Sequence, residues 1–224
     1  FIGFESKREA GNDILRVDDI TKSIDGELIL KDIRFAMKKG DKIALVGKSS
    51  VAKTTLFKIL AGEMEPDSGS YTMGGTITPG YFPADNSSYF DNVDISLIDW
   101  LRQYSEDKDE SFVRGFLGRM LFSGEEALKK TNVLSGGEKV RMMLSKMMLE
   151  APNVLIMDGP TNHLDLESIT SVNEGLKKYD STIIFACHDH EFVQTVANRI
   201  IDIQPNGSII DVEKSFDEYL GLTD

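Results

Sequence analysis

Cysteine is nearly absent from this sequence of 224 residues, and long apolar stretches and an excess of basic residues are missing. The single cysteine, Cys187, cannot form an internal disulfide, which agrees with a reducing, cytoplasmic setting. The longest unbroken apolar run, residues 183–187, is far shorter than the roughly 18 residues of a membrane-spanning helix. We therefore expect a cytoplasmic protein that does not enter a membrane.

The charge balance and the scarcity of histidine exclude further classes of function. Asp and Glu number 37 against 25 Lys and Arg, so attraction to a phosphate backbone cannot dominate binding by the surface as a whole. Three histidines and one cysteine show no compact zinc-ligand spacing. The aromatic residues scatter among apolar stripes and do not form a platform on which bases could stack.

What the chain does contain is typical of a globular domain, with 41% hydrophobic and 28% charged residues. At roughly 150 residues per domain, its length predicts one large domain, or one domain with an inserted subdomain. The sequence begins at Phe1 without an initiator Met and without a signal-peptide pattern. We therefore expect a fragment of a longer protein.

Short apolar runs alternate with helical patterns along the chain. Strand patterns, one alternating and three continuous, occur at residues 33–37, 43–46, 154–157 and 182–186. Helical apolar spacing recurs at residues 56–60, 97–104, 112–121, 140–148 and 166–172. The methionines of the fourth helical stretch are assigned to core packing. This alternation predicts a parallel sheet with ligand sites beyond the carboxyl ends of its strands.

The residues after the strand at 43–46 nearly match the phosphate-loop pattern G-x-x-x-x-G-K-[ST]. They are Gly47, Lys48, Ser49, Ser50, Val51, Ala52, Lys53, Thr54 and Thr55. In the full pattern, backbone N–H groups and the lysine hold phosphates, and the hydroxyl after the lysine holds Mg²⁺. Ala52 replaces the last glycine, which is harmless only if its φ is negative and the phosphate clears its methyl group. The alternative is an ordinary strand-to-helix turn rich in small residues.

A second glycine-containing segment opens a later helix. Ser135, Gly136, Gly137 and Glu138 lie where the partial positive charge of a helix N-terminus attracts an anion. Ser135 could instead only cap its own helix, but two glycines would then weaken the first turn without compensation. We therefore favour phosphate recognition by this segment.

Two further polar residues follow buried strands at the same expected sheet edge. Asp158 comes directly after residues 154–157, where a strand-end carboxylate can face Mg²⁺. His188 follows the strand at 182–186. For His163 and His190 we expect structural roles, because a histidine beside a turn or helix start is usually hydrogen-bonded locally.

The order of these motifs along nearly the whole chain resembles an ABC-type ATP-binding domain. The motifs are the phosphate loop, residues 134–138, residues 158–165 and His188. The resemblance implies an α/β fold with a mostly parallel P-loop core sheet, an antiparallel β subdomain and an inserted α-helical subdomain at about residues 94–150. It also implies ATP and Mg²⁺ as cofactors.

Within that superfamily, residues 81–83, 134–141 and 160–165 resemble the ABC-F subfamily, whose members join two ATPase domains in one cytoplasmic chain and act on ribosomes. Residues 8–13 resemble the stretch that leads from the interdomain linker into the second domain. We therefore expect the end of a linker at residues 1–13 and the second ATP-binding domain at residues 14–224. The partners implied are the first ATP-binding domain of the same protein and the ribosome.

The resemblance also implies roles for single residues. Lys53, Thr54 and Thr55 would hold ATP and Mg²⁺, Asp158 would be the metal-binding carboxylate, and His188 would touch the γ-phosphate. Asp165 would mediate contact between domains. The segment from Ser135 to Glu138 would complete the ATP site of the facing domain, so that each site is shared between two domains.

Three positions depart from the family pattern. Gly159 stands where a glutamate usually polarises the attacking water, and general-base assistance typically supplies about 10²–10⁴-fold in rate. Ala84 stands where a glutamine commonly contacts Mg²⁺, and Ile24 lies near where an aromatic residue usually stacks on adenine. We expect ATP binding to survive, hydrolysis to be slow and base selectivity to be weak. The sequence leaves open whether Gly159 is the native residue.

Three functions are compatible with these features. The first is one ATPase half of a ribosome-associated translation factor, and the second is a nucleotide-dependent clamp without useful turnover, which Gly159 favours. The third is the ATP-binding subunit of a membrane transporter, against which the Asn162-His163 pair and the linker-like start argue. An isolated copy is expected to be monomeric or weakly self-associated, because half of every shared site is absent.

Overall fold

The computed structural model describes residues 2–122 and 124–222. Its strands are β1 (Asp13–Ile24), β2 (Glu27–Lys38), β3 (Lys42–Val46), β4 (Ser68–Met73), β5 (Pro79–Phe82), β6 (Val154–Asp158), β7 (Thr182–Ala186), β8 (Arg199–Ile203) and β9 (Ile209–Val212). Its helices are α1 (Ser50–Leu60), α2 (Leu97–Arg102), α3 (Glu110–Arg119), α4 (Gly136–Glu150), α5 (Leu166–Lys178), α6 (His190–Val196) and α7 (Phe216–Leu220). Short 3₁₀ turns lie at Ser87–Tyr89, Gly124–Leu128 and Thr131–Val133.

The larger sheet has six strands in the order β5-β6-β7-β3-β8-β9. The first five strands run parallel, and β9 runs antiparallel to β8. Every residue of β6 and β7 is buried, as unbroken apolar runs predict for strands covered on both faces. The prediction of a mostly parallel core sheet is confirmed.

Different elements cover the two faces of this sheet. Along β6, Val154 and Ile156 pack with α1 and the antiparallel strands, whereas Leu155 and Met157 pack with helices α2 to α6. The side chains alternate because successive residues of a strand point to opposite faces. The sheet is therefore the middle of three layers, and its carboxyl edge is left free of the covering helices.

The smaller sheet has three antiparallel strands in the order β2-β1-β4. In β2, Ile33, Phe35 and Met37 are buried while Arg34 and Ala36 are exposed. This alternation confirms the half-buried strand predicted at residues 33–37. The apolar face of the strand joins α1 in the second core cluster.

The helical region inserted between β5 and β6 packs into the core cluster on one face of the six-stranded sheet. Trp100 of α2 stacks on Phe90, with ring centroids 4.9 Å apart. Met143, Met147 and Met148 of α4 are buried, which confirms their assignment to the core. The boundaries of the helical subdomain at about residues 94–150 stay a prediction.

Three apolar residues predicted on buried helix faces are exposed instead. Phe112 is 42% exposed, Leu121 62% and Leu166 79%. Helix α3 ends at Arg119, and Leu121 lies beyond it with a left-handed φ of 67°, so the helical spacing no longer applies there. Leu166 is the first residue of α5 and lies outside the stripe that the helix buries.

The segment before β1 packs against the domain. Ile2 and Phe4 are buried, and the Lys7 N–H donates a hydrogen bond to the Ala151 carbonyl at 2.9 Å. Its interpretation as the end of an interdomain linker stays a prediction, and Phe1 lies outside the described residues. Among the helices of residues 2–122 and 124–222, none combines the length and the apolar character needed to cross a bilayer.

Candidate functional site

The loops that carry the predicted motifs meet at one edge of the six-stranded sheet. Strands β6, β7 and β3 are neighbours and run parallel, so their carboxyl ends lie side by side. These ends lead into residues 47–49, 159–165 and 187–189. This is the edge at which parallel sheets bind ligands. The structure thus brings together three motifs that are far apart in the sequence.

The phosphate loop leaves β3 at Gly47 and enters α1 at Ser50. Gly47 has a φ of +138°, and a Cβ on it would lie 2.6 Å from the carbonyl oxygen of Ile203. Ser49 caps α1, because its Oγ accepts a hydrogen bond from the Ala52 N–H at 3.1 Å. By helix geometry, the N–H groups of Ser50 and Val51 have no acceptor within the helix. They are available to an anion at the positive end of α1.

Ala52 and Thr55 have their side chains turned into the protein. Ala52 lies within α1, is 3% exposed and is not among the residues with positive φ, so its helical conformation needs no glycine. Thr55 is buried, and its hydroxyl donates to the Val51 carbonyl at 2.6 Å. The Thr55 hydroxyl is therefore bonded within α1, and the expected role of Thr55 in holding ATP stays a prediction.

The central contact of the site joins Thr54 to Asp158. The Thr54 hydroxyl donates to Oδ2 of Asp158 at 2.6 Å and connects the first turn of α1 to the end of β6. Burial raises the pKa of Asp158, while the hydrogen bond from Thr54 and the charges of Lys53 and His188 act in the opposite direction. Asp158 is therefore a buried carboxylate that a nearby cation would stabilise.

The residues at this contact fit a Mg²⁺ ion that arrives with a nucleotide. A hydroxyl and a carboxylate are hard oxygen ligands, and Mg²⁺ is usually held by one or two carboxylates together with substrate phosphates. Across the residues that the structure describes, no group of three or more His, Cys, Asp and Glu could hold a metal alone. Thr54 and Asp158 would thus supply the protein's ligands, and phosphate oxygens would supply others.

A cavity of about 30 Å³ lies beside this contact. Lys53, Asp158, Asn162 and His188 are among its lining residues. A cavity of this size can admit water at the junction of the three loops. His188 lies on the exposed side of the cavity, in the place predicted for it.

Gly159 gives the site no carboxylate next to Asp158. Its N–H donates to the Ala186 carbonyl at 2.9 Å, and its φ is +69°. A Cβ on Gly159 would lie 2.5 Å from Nδ2 of Asn162. A glutamate at this position would therefore need both a left-handed backbone, which residues other than glycine rarely adopt, and a shift of Asn162.

The segment from Ser135 to Glu138 forms a complete cap for α4. The Ser135 Oγ accepts from the Glu138 N–H at 3.2 Å, and Oε1 of Glu138 accepts from the Ser135 N–H at 3.0 Å. This is the capping role that we had considered as the alternative to phosphate recognition. Phosphate recognition by this segment stays a prediction.

The two glycines of this segment have a reason for being small within this chain. A Cβ on Gly137 would lie 2.7 Å from the carbonyl oxygen of His163, and one on Gly136 would lie 3.2 Å from the His163 ring. Our argument that the glycines weaken α4 without compensation is therefore wrong, because they allow α4 to approach the loop after β6. His163 has a φ of 64°, and the structural role expected for its side chain stays a prediction.

Two further predicted residues, Ala84 and Asp165, lie near the loop after β6. Ala84 is exposed and lines a cavity of about 210 Å³ together with Gly136, Gly159 and Asn162. Asp165 caps α5 by accepting from the Ser168 N–H at 2.8 Å, and its contact with another domain stays a prediction.

His190 has a partner in the C-terminal helix. Its Nε2 lies 2.6 Å from Oδ1 of Asp217, which confirms a structural hydrogen bond for this residue. The bond connects the start of α6, directly after the loop of His188, to α7.

A groove of about 750 Å³ extends from the phosphate loop to α7, and the sequence predicted little of it. Leu28 and Ile29 of β2 and Phe216 and Tyr219 of α7 line it beside the phosphate loop. Ile24, predicted to lie beside the base, is half-buried at the end of β1 and is not among the lining residues. The apolar pair at 28–29 was visible in the sequence, but nothing there connected α7 with the loop.

Comparison with known proteins agrees with this geometry. Residues 30–162 match the model of the ABC transporter family. The chain is 59% identical over 225 residues to an uncharacterized ABC transporter ATP-binding protein, YkpA of Bacillus subtilis. The alignment covers 100% of this chain and 42% of that protein. It is 31% identical to the energy-dependent translational throttle protein EttA of Haemophilus influenzae, over 93% of this chain and 38% of EttA.

Two further similarities concern a plant relative and the fold. ABC transporter F family member 5 of Arabidopsis thaliana is 29% identical, over 98% of this chain and 32% of that protein. A dimeric ATP-binding cassette, solved in a post-hydrolysis state with ADP and inorganic phosphate, has a TM-score of 0.74 at 19% identity and covers 89% of this chain and 98% of its own. The chain spans about two fifths of the length of two of the curated relatives that it matches.

Proposed function

We propose that this chain, which belongs to the ABC transporter family, is an ATP-binding domain that holds MgATP at the carboxyl edge of its parallel sheet. The observation that carries the proposal is the 2.6 Å contact between Thr54 and Asp158, beside Lys53 at the start of α1. It places a cation, a hydroxyl, a carboxylate and free helix N–H groups within one site. These are the groups that recognise a triphosphate and its magnesium.

The site is completed by a second ATP-binding domain that closes on the nucleotide. In residues 2–122 and 124–222, the hydrogen bonds of the Ser135 and Glu138 side chains are made within the helix start and to Lys129, and none joins segment 135–138 to the phosphate loop 47–55. The similarity to a dimeric ATP-binding cassette supports an arrangement of paired domains. We infer that the partner is the first ATP-binding domain of the same longer, cytoplasmic protein.

The longer protein acts in translation on the ribosome. The ABC-F-like motifs of the chain support this function, as does its 31% identity to a protein named a translational throttle. The solved transporter subunits are 24% and 22% identical to this chain and show the fold alone. A cross-linking experiment on ribosomes with the full-length protein tests this role, and association with membranes instead would contradict it.

Hydrolysis by this chain is slow, because no side chain at position 159 can polarise the attacking water. Asp158 is not a substitute, since its carboxylate is occupied by Thr54 and is the ligand proposed for Mg²⁺. ATP therefore serves mainly to hold the two domains closed. A clamp with little turnover is the form of the proposal that Gly159 favours.

Calorimetry with MgATP tests the binding function. We expect Lys53→Ala to lower the affinity about 10- to 100-fold, which corresponds to the loss of charge-assisted hydrogen bonds to phosphate. Lys178→Ala is the matched control, because Lys178 is exposed at the end of α5 and lines neither the groove nor the cavity beside the phosphate loop. Equal MgATP affinities of the native chain and Lys53→Ala would contradict the proposal.

A further inference from the structure

The groove beside the phosphate loop is large enough for the nucleoside of a bound nucleotide. Its volume of about 750 Å³ lies within the range of about 300–1,000 Å³ that is usual for small-molecule sites. One end is formed by Gly47, Lys48 and Ser49, so the groove is continuous with the place proposed for the phosphates. Asp158 and His188 do not line it and belong instead to the small cavity beside the Thr54–Asp158 contact.

The walls of the groove suit a neutral aromatic ring better than a phosphate. Leu28 is 44% exposed on one wall, and Phe216 and Tyr219 lie on the other. The carboxylates of Glu27 and Asp202 also line it and would repel phosphate oxygens. A nucleotide on the phosphate loop would therefore extend its base, and not its phosphates, into this groove.

The ring of Tyr219 is held in place before any ligand binds. Its hydroxyl donates to Oδ2 of Asp202 at 2.5 Å. Burial and the neighbouring Asp202 raise the pKa of Tyr219 to about 12, so the hydroxyl stays protonated at neutral pH. Helix α7 is itself fixed to α6, since the Asp217 N–H donates to Oε1 of Gln194 at 2.8 Å and the Asp217 carboxylate meets His190.

We propose that the base of the bound nucleotide lies in this groove and stacks on Tyr219, which α7 supplies as a specificity-determining residue. The inference rests on the proposed function, because it requires the triphosphate to lie on the phosphate loop. Ile24 does not line the groove, so the aromatic contact that β1 lacks comes from the opposite end of the chain. An aromatic ring offers a base a flat surface at low conformational cost.

Paired titrations with MgATP and with magnesium tripolyphosphate test the inference. We expect Tyr219→Leu to lower MgATP affinity about fivefold or more, the usual effect of removing a stacking ring, and to leave tripolyphosphate affinity unchanged. Tyr219→Phe is the matched control, since it keeps the ring and loses only the bond to Asp202. It should stay within about twofold of the native MgATP affinity.

The outcomes separate this inference from the function on which it rests. If the native chain binds neither ligand, the proposed function fails and the inference fails with it. If both ligands bind and Tyr219→Leu changes neither affinity, only the inference is overturned. An equal loss for both ligands would also overturn it, because α7 would then support the phosphate loop and not the base.

Photolabelling of the native chain with 8-azido-ATP gives a second measurement that needs no variant. We expect the label on the peptide that contains Tyr219 or on the facing residues 27–29, and excess ATP should prevent it. Label confined to the Ile24 side chain, assigned by fragmentation of the labelled peptide and thereby separated from residues 27–29, would overturn the inference even if Tyr219→Leu failed to fold.

Discussion

Helices α1 and α4 begin in similar ways but present different ends to a ligand. Each starts after a serine, Ser49 or Ser135, whose hydroxyl accepts a backbone N–H of the first turn. The first turn of α1 contains no acidic residue and carries Lys53, whereas that of α4 carries Glu138. Glu138 bonds back to Ser135 and also to Lys129, at 2.6 Å.

This difference shows which helix can hold an anion without help. At α1, free N–H groups and a lysine add to the positive end of the helix dipole. The Asp158 carboxylate beside them can bind a cation. At α4, Glu138 already satisfies the N–H of Ser135 and offsets the dipole with its own negative charge. A phosphate at α4 must therefore compete with the helix's own cap. In the proposed function, that phosphate belongs to a nucleotide that a partner domain already holds.

The largest expected effect is on the rate of ATP hydrolysis, when a general base is added to the site at α1. We expect Gly159→Glu to raise steady-state phosphate release by at least about tenfold in the nucleotide-saturated full-length protein. The full contribution of a general base, about 10²–10⁴-fold, is reduced here by the strain of a side chain at a φ of +69°.

Gly159→Ala is the control for that strain. It introduces the same Cβ beside Asn162 without a carboxylate, so it should not hydrolyse faster than the native protein. Phosphate release by Gly159→Glu no faster than that of Gly159→Ala would show that slow turnover has another cause.

A smaller effect tests why α4 begins with glycines. Gly137→Ala should lower the free energy of unfolding by about 1–3 kcal/mol, because its Cβ would lie 2.7 Å from the backbone oxygen of His163. Gly136→Ala meets only the His163 ring, at 3.2 Å, and gains about 1 kcal/mol of helix propensity, so it should be nearly neutral. Urea unfolding of both variants measures the difference. Equal stabilities would mean that the approach of α4 to His163 does not require a glycine at 137.

Removal of the two caps compares the helix starts directly. Ser49→Ala and Ser135→Ala should each cost about 1 kcal/mol in the free energy of unfolding, the usual value of a serine cap. Only Ser49→Ala should change MgATP affinity in the isolated chain, since we propose that Ser135 completes the site of a partner domain. A loss of MgATP affinity with Ser135→Ala in a monomeric sample would contradict the proposal that only α1 binds the chain's own nucleotide.

The smallest effect concerns the charge of Asp158 without nucleotide. Because burial raises its pKa, the folded chain binds this proton more readily than the unfolded chain. Its contribution to stability is therefore present at low pH and is lost as pH rises through the raised pKa. Asp158→Asn should raise the melting temperature at pH 7 by about 2–4 °C, for about 1 kcal/mol, and the gain should shrink toward pH 4.

Asp165→Asn is the control for that measurement, because the pKa of Asp165 is shifted in the opposite direction from that of Asp158. The hydrogen bond from Ser168 lowers the pKa of Asp165, so its contribution is present at neutral pH and is lost as pH falls. The substitution should not raise the melting temperature at pH 7. A rise in both variants would indicate a general effect of lower net charge rather than the burial of Asp158.

Some features of the site could be predicted because their signals are local. Strands β6 and β7 are covered on both faces, which requires unbroken apolar runs, and those runs are visible in the sequence. The phosphate loop is a single segment that follows such a strand. Once a parallel sheet is predicted, Asp158 and His188 must lie at the same edge as that loop.

Other features depend on contacts between distant segments. The bond from the Ser135 N–H to Glu138 and the approach of His163 to Gly137 give the start of α4 a capping and packing role within this chain that the sequence did not show. Leu121 and Leu166 continue an apolar pattern but are exposed, because helix α3 ends before one and α5 begins at the other.

Sequence alone determined the family, the parallel core sheet and the cation, hydroxyl and carboxylate of the phosphate site, because each is written in adjacent residues or in one strand's pattern. Only the tertiary structure decided that Gly159 has a left-handed backbone beside Asn162, and that α7 forms a wall of the groove. Those features depend on contacts between segments that are far apart in the sequence, and the spacing of residues along the chain does not predict such contacts.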